Sequence, residues 1–181
     1  MNFQTTFSEL VKIRQSDRKY LNKHVEKEKL KLCLESARLA PSANNSQPWK
    51  FVVIDDSTLK KQIADCAASM GMNKYAHQAP VIVVVVLEKQ NILSSIGSVL
   101  KNKEFSLLDI GIVVNQFCLQ AADLGLGTCI IGWFDENKIK KILQVNNNKR
   151  IPLLIAVGYS DSPTREKIRK SPEEMSSWNL Y

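Results

Sequence analysis

The chain's 181 residues, 44% hydrophobic and 24% charged, suit one compact domain over 1–181, able to bury roughly two-thirds of the surface that unfolding exposes. No Pro/Gly-rich or low-complexity stretch marks a linker, which argues against a tethered or disordered chain. The formal charge of +7 comes from 25 Lys and Arg scattered among 18 Asp and Glu, with no basic block interleaved with aromatics; this is the pattern of a solvated surface with a local anion site, not of a nucleic-acid module.

Met1–Leu10 alternates polar and apolar residues and lacks the basic start and unbroken apolar core of a signal peptide, so a cytoplasmic location is expected. Phe7, Leu10, Val11 and Ile13 share one side of a helical wheel, predicting a first helix that ends near Gln15. Leu30, Cys33, Leu34 and Ala37 follow the i, i+3, i+4, i+7 rule of a second helix, stopped by Pro41. Residues 41–48, with prolines at both ends and small amides between, read as a loop leading into a strand over Trp49–Ile54. Ser57 is expected to cap a helix to about Met70. Val81–Leu87 is apolar at every position, which predicts a strand buried on both faces, far short of the roughly 20 residues of a membrane-spanning helix.

Ser106 and Asp109 suggest a capping-box start for a helix over Leu107–Leu124 that is apolar on nearly all sides and so belongs in the middle of the protein; Gly125 and Gly127 end it. Thr128–Gly132 reads as a strand, Asp135 caps a short helix to Leu143, and Ile151–Val157 is a last strand before Gly158. Tyr159–Tyr181 is an extension with little pattern of its own. Two helices before any strand, and one helix hydrophobic all round, predict a mixed α+β sandwich and not a regular βαβ array.

Two basic clusters stand out: Arg14, Ser16 and Arg18 in an R-x-S-x-R pattern, and Lys167 with Arg169 near the other terminus. Guanidinium forks, an ammonium and a hydroxyl supply charge-assisted donors to a phosphate dianion, though each cluster alone also fits a solvated basic turn. In the 41–48 loop, Ser42, Asn45 and Gln47 offer groups that suit the polar edge of a heterocycle on a proline-stiffened frame; a well-bonded helix-to-strand turn is the other reading. Gly125-x-Gly127 with Gly132 follows a helix and lacks the G-x-G-x-x-G spacing, so the dinucleotide fingerprint is rejected. These glycines end the helix and let backbone near Gly132 approach a ligand closely.

Asp109 has a sufficient structural job at a helix start, and His24 and His77 stand alone as surface or packing residues. Cys33, Cys66, Cys118 and Cys129 lie far apart without C-x-x-C, so neither a metal site nor a redox dithiol is expected. G-x-S-x-G, a P-loop lysine and H-E-x-x-H are all missing, and hydrolase and nucleotide-triphosphatase classes lose support.

In order along the chain, Arg14-Gln15-Ser16-Asp17-Arg18, Ala40–Trp49 with its P-S-x-x-N-x-Q-P-W loop, Ala121–Gly127, Gly132–Asp135, Pro152–Tyr159 and Lys167–Lys170 resemble the nitroreductase family of FMN enzymes. The resemblance implies an α/β/α sandwich with a mainly antiparallel central sheet, a buried central helix and an intertwined homodimer. It implies that Arg14, Gln15, Ser16, Lys167 and Arg169 hold the FMN phosphate and ribityl chain, with Arg18 at the pyrimidine side of the flavin. Pro41, Ser42, Ala43, Asn45 and Gln47 would belong to the flavin site, the loop reaching it from the partner subunit, and Asn73 is the counterpart of an asparagine at the flavin edge. Backbone around Ile131 and Gly132 would approach flavin N5, with Trp133 lining or packing beside it, so no side-chain acid or base is required.

The activity implied is transfer of reducing equivalents from NADH or NADPH to electron-poor acceptors such as nitroaromatics or quinones, in ping-pong order. A specialised FMN-dependent member and a non-catalytic FMN-binding protein share the same flavin contacts and stay open. Gln15 departs from the more basic residue frequent in the family and Asn44 from a frequent glycine. The short Glu88–Lys103 segment implies that a helical insertion of larger members is missing.

Overall fold

The structure, a computed structural model, describes residues 6–88 and 104–181; the expectation for the link after Glu88 lies outside these residues. The described elements run α1 (Phe7–Ile13), α2 (Lys27–Arg38), β1 (Trp49–Ile54), α3 (Ser57–Ala67), β2 (Val81–Leu87), α4 (Phe105–Asp123), β3 (Gly127–Ile131), α5 (Glu136–Ile142), β4 (Arg150–Gly158) and α6 (Pro172–Met175), with 3-10 turns at Ala43–Asn45, Ser69–Gly71 and Lys74–His77. The strands form one sheet in the order β1-β2-β4-β3, and every neighbouring pair is antiparallel.

Strand alternation divides the core into two layers. On β2, Ile82, Val84 and Val86 face a cluster built from Ile63, Ala64 and Ala67 of α3 and Ile139 of α5. Val81, Val83 and Val85 face the opposite cluster, with Leu30, Cys33 and Ala37 of α2 and Ile110, Val113, Val114 and Phe117 of α4. Each fully buried aliphatic of this kind contributes roughly 1.5–3 kcal/mol, which is why β2 can be apolar throughout. The α+β sandwich with a mainly antiparallel sheet is therefore present as expected. Where β2 meets β4 the register moves from Val85↔Leu153 to Leu87↔Arg150, so β4 carries an extra residue around Pro152. A bulge is where a residue without an N–H fits a sheet.

Three local expectations are corrected. The cap of α3 is Asp56, whose carboxylate accepts from Leu59 N at 2.7 Å, and the helix stops at Ala67 with a 3-10 turn beyond. Helix α4 starts at Phe105 after Glu104, without a side-chain cap; Asp109 instead accepts from the Ala43 amide at 3.1 Å. Gly125, at φ +74°, ends α4, whereas Gly127 is already the first residue of β3.

Helix α4 is long and apolar enough to pass for a membrane span by length and composition, but its Ile110, Val113, Val114 and Phe117 stripe is part of the core. Its other side is apolar and open in the single chain: Leu107, Leu108 and Ile112 are 43%, 59% and 44% exposed. Helix α1 likewise buries none of its residues, and Phe7 is 70% exposed.

Candidate functional site

The site begins at the free edge of β3. Ser16 bridges Thr128 in parallel, and Asp17 N donates to the Thr128 carbonyl at 2.9 Å, so the segment after α1 closes an edge that would otherwise expose unpaired backbone. On its other side the same segment pairs with the chain leaving β4: Tyr20 bridges Ser160, Leu21 N donates to Tyr159 O and Asp161 N to Lys19 O. Asp17, only 4% exposed, pins this arrangement. Its carboxylate accepts from Ser160 Oγ at 2.5 Å and Gln15 Nε2 at 3.0 Å, and the Tyr20 hydroxyl donates to its carbonyl at 2.8 Å. Gly127 leaves room for it: a Cβ there would lie 2.8 Å from Asp17 Oδ2.

These pairings bring the two basic clusters together. The Gln15 amide donates to Pro163 O at 3.1 Å and accepts from Arg165 N at 3.1 Å, a two-way link that a lysine or arginine, which only donates, would not make. That is a physical reason for the departure at this position. Lys167 Nζ donates to the Arg14 carbonyl and Arg165 Nη2 to the Ser16 carbonyl at 2.8 Å. The result is a cleft of about 390 Å³ lined by Arg14, Gln15, Ser16, Arg18, Arg165, Glu166, Lys167, Ile168 and Arg169, with five cations against one carboxylate. Partial burial, then the charges of Arg14, Arg169 and Arg165, push the Lys167 ammonium below its usual pKa. Crowded like charges of this kind favour an anionic ligand.

Arg165 is a cleft residue that the motif reading missed. Its signal is the spacing: Arg165, Lys167 and Arg169 recur every second residue, which in extended chain places them on one side.

A second wall stands beside Arg18. Asn73, in left-handed backbone at φ 46°, donates through Nδ2 to the Trp133 carbonyl at 2.9 Å and to Ala67 O at 3.3 Å. It is thereby tied to the residue after Gly132. Ile131 is buried and Gly132 exposed; a Cβ on Gly132 would meet only Leu153 Cδ2, at 3.8 Å. Packing among the described residues therefore leaves room for a side chain at this position. Trp133 is 57% exposed.

The 41–48 loop is internally bonded. Ser42 Oγ accepts from Gln47 N at 2.9 Å, and Gln47 Nε2 donates to Asn45 O and Oδ1 at 3.2 and 3.0 Å. Asn44, Asn45 and Gln47 all take positive φ, a conformation asparagine tolerates better than most side chains. Asn44 therefore meets the demand that a glycine would otherwise serve. The carboxylate of Asp109 docks the loop on α4 through the Ala43 amide. Pro41, Ser42, Ala43, Asn45 and Gln47 are not among the residues lining the basic cleft of their own chain. The structure thus unites Arg14, Gln15, Ser16, Arg18, Lys167 and Arg169, while the loop stands apart.

Comparison with known proteins identifies the family. The nitroreductase family model matches residues 11–74 and 69–159. The oxygen-insensitive NADPH nitroreductase of Helicobacter pylori strain ATCC 700392 / 26695 is 31% identical over an alignment of 174 residues that covers 80% of this chain and 82% of the relative. Among solved structures, a nitroreductase family protein of Clostridium novyi NT superposes with a TM-score of 0.74 at 30% identity, covering 90% of this chain and 89% of the other. An FMN-dependent nitroreductase of Clostridium difficile R20291 does so with a TM-score of 0.75 at 28% identity, covering 95% and 98%. With a family match over most of its length and the sandwich those relatives share, this chain belongs to the nitroreductase family and is an oxidoreductase.

Proposed function

We propose that the protein is an FMN-dependent NAD(P)H oxidoreductase, one FMN-binding domain working as a cytoplasmic homodimer that reduces nitroaromatic- or quinone-like acceptors in ping-pong order. The observation that carries the reading is the meeting of Arg14, Ser16, Lys167 and Arg169 in one cation-rich cleft, from clusters about 150 residues apart. The donor set fits a phosphate dianion: two guanidinium forks, an ammonium and a hydroxyl. When bound, FMN supplies the redox chemistry, taking two electrons from NADH or NADPH and giving them to the acceptor that replaces the nicotinamide.

The residues divide the remaining work. Arg14, Ser16, Lys167 and Arg169 would hold the phosphate, with Gln15 fixing the cleft's two sides to each other and facing the ribityl chain. Arg18 would place a positive charge at the pyrimidine side, where negative charge gathers on reduction. Asn73 and the backbone at Ile131 and Gly132 would border the ring, and Trp133 the acceptor space. Pro41, Ser42, Ala43, Asn45 and Gln47 would come from the second copy. Supporting that assembly, Phe7, Leu107, Leu108 and Ile112 leave apolar surface open in the single chain, and such surface marks an interface. The four cysteines are free thiols, which suits a reducing compartment.

The test is an anaerobic titration of the FMN-loaded protein with NADH or NADPH, followed by a nitroaromatic or a quinone. Bleaching by the nicotinamide and recovery with the acceptor are expected. Flavin that binds but never bleaches points to the non-catalytic reading, and failure to bind FMN on reconstitution defeats the proposal. Sedimentation of wild type and Ile112→Glu tests the shared site: the variant is expected to lose the dimer and FMN together.

A further inference from the structure

Half-buried Tyr75 stands where the cation-bearing segment, Asn73 and strand β3 meet. Its ring lies 5.9 Å from the Arg18 guanidinium carbon. Its hydroxyl donates to Asn73 Oδ1 at 3.1 Å and accepts from the Cys129 thiol at 3.2 Å. Cys129 is 2% exposed and lies two residues before Ile131, while Asn73 passes the link on to the Trp133 carbonyl through its Nδ2. One phenol therefore contacts, directly or through one amide, the Arg18 charge and the chain on both sides of Gly132.

The bonds at Tyr75 follow a consistent direction, with the Cys129 thiol closer to the phenol oxygen at 3.2 Å than to the Ile130 carbonyl at 3.8 Å. A hydroxyl owns one proton, and here it goes to the Asn73 carbonyl oxygen, leaving lone pairs for the thiol proton. The Asn73 amide must then present its NH₂ to Trp133; turned over, it would set donor against donor at Tyr75 and acceptor against acceptor at Trp133. Burial holds the phenol above its ordinary pKa, outweighing the opposing hydrogen bond and charge of Arg18.

We infer that Tyr75 is a positioning residue for the redox reaction: by holding the exposed Arg18 side chain against its ring and locking Asn73, it sets how strongly the site prefers reduced over oxidised flavin. The inference rests on the FMN reading above. Arg18 is exposed, and an arginine released from an aromatic face regains its rotamer freedom and spends less time at any one point. Without Tyr75 the charge would no longer be held where negative charge develops, and the reduced state would lose stabilisation.

The experiment measures two quantities on purified protein: FMN affinity by fluorescence titration, and the two-electron midpoint potential of the bound flavin. The proteins are wild type, Tyr75→Leu, Tyr75→Phe and the same two changes combined with Arg18→Ala. Tyr75→Leu is expected to change oxidised-FMN affinity by about threefold or less, since the phosphate cleft is untouched. It is expected to cut the preference for reduced flavin about threefold, which lowers the potential by about 15 mV for a two-electron couple. Tyr75→Phe, which keeps the ring and loses the hydroxyl's bonds to Asn73, Cys129 and Arg18, is expected to show a smaller downward shift and carries the test if the leucine variant does not fold.

Both shifts should shrink in the Arg18→Ala background, because the part of the effect that acts through that cation is gone, while the Asn73 link remains. Unchanged potentials in both variants, or shifts of the same size without Arg18, overturn the inference. Wild-type protein that takes up no FMN defeats the functional reading instead, and wild type that binds FMN with a potential indifferent to Tyr75 defeats the inference alone.

Discussion

Gly127→Ala tests whether Asp17 is the pin on which the basic cleft hangs. An added Cβ would lie 2.8, 2.9 and 3.0 Å from Asp17 Oδ2, Cγ and Cβ, all inside normal contact distance. Asp17 has little freedom to yield, being 4% exposed, held by Ser160 Oγ and Gln15 Nε2 and bonded through its amide to Thr128. Overpacking of this kind costs about 1–3 kcal/mol. Replacing glycine by alanine returns about 0.4–1 kcal/mol by restricting the unfolded chain. The net loss is then about 1–2 kcal/mol, a fall in Tm of roughly 2–8 °C for a chain of this size. Because Asp17 lies between Ser16 and Arg18, FMN affinity should fall as well, by about tenfold. Thermal melts of the apo protein and fluorescence titration with FMN measure the two effects. In an Asp17→Ala background most of the clash is gone and Gly127→Ala should add little. A Gly127→Ala protein with wild-type Tm and FMN affinity would refute the reasoning.

Arg165→Ala is expected to weaken FMN binding several-fold and Lys167→Ala about tenfold or more, on the scale of a lost charge-assisted hydrogen bond at an open site; both losses should shrink as salt rises in the titration. Because the Lys167 ammonium sits below its usual pKa, FMN affinity should begin to fall with rising pH before an ordinary lysine would titrate, and Lys167→Arg should delay that fall. Away from the site, Lys140 is buried against Glu136 at 2.9 Å. Glu136 is depressed in pKa: burial works against its charge, but the Ile151 N–H, Arg150 and Lys140 outweigh that. Its stabilising effect is therefore full above the unfolded carboxyl value of about 4.3 and is lost as pH falls through the lower folded value. Urea denaturation of Glu136→Ala at pH 7 should show a loss of about 3 kcal/mol, from a lysine left buried without its partner. The gap from wild type should narrow in acid.

How much could be read in advance depended on whether a residue's task was local. Val81–Leu87 gave itself away because a strand covered on both faces has no polar position, and the structure places its alternate side chains in two separate cores. The strand and helix order was legible for the same reason. The misreadings concern choices between neighbours of similar chemistry: Asp56 caps α3 in place of Ser57, and both are good caps. A carboxylate at Asp109 has an ordinary task at a helix start, yet it holds the Ala43 amide of a loop 66 positions away. Long-range partners of that kind leave no periodic trace. Arg165 is hard to single out because three cations at every second residue resemble any solvated tail until Gln15 fixes its backbone.

The same distinction bears on α4. A helix that is hydrophobic all round is normally buried all round, and that expectation is only half met within one chain, where Leu107, Leu108 and Ile112 face outward. At about 25 cal/mol per Å², leaving three large aliphatics in water forfeits several kcal/mol of available burial, a poor arrangement for a marginally stable fold. The 41–48 loop is bonded to this helix through Asp109 and lines no part of its own chain's basic cleft. A second copy seated on the open side of α4 would resolve both features at once, covering the apolar face and carrying its loop toward a cleft that lacks one. Ile112→Glu puts a charge at the centre of that contact. If FMN binding survived in a monomeric Ile112→Glu protein, the loop would have no place in the flavin site.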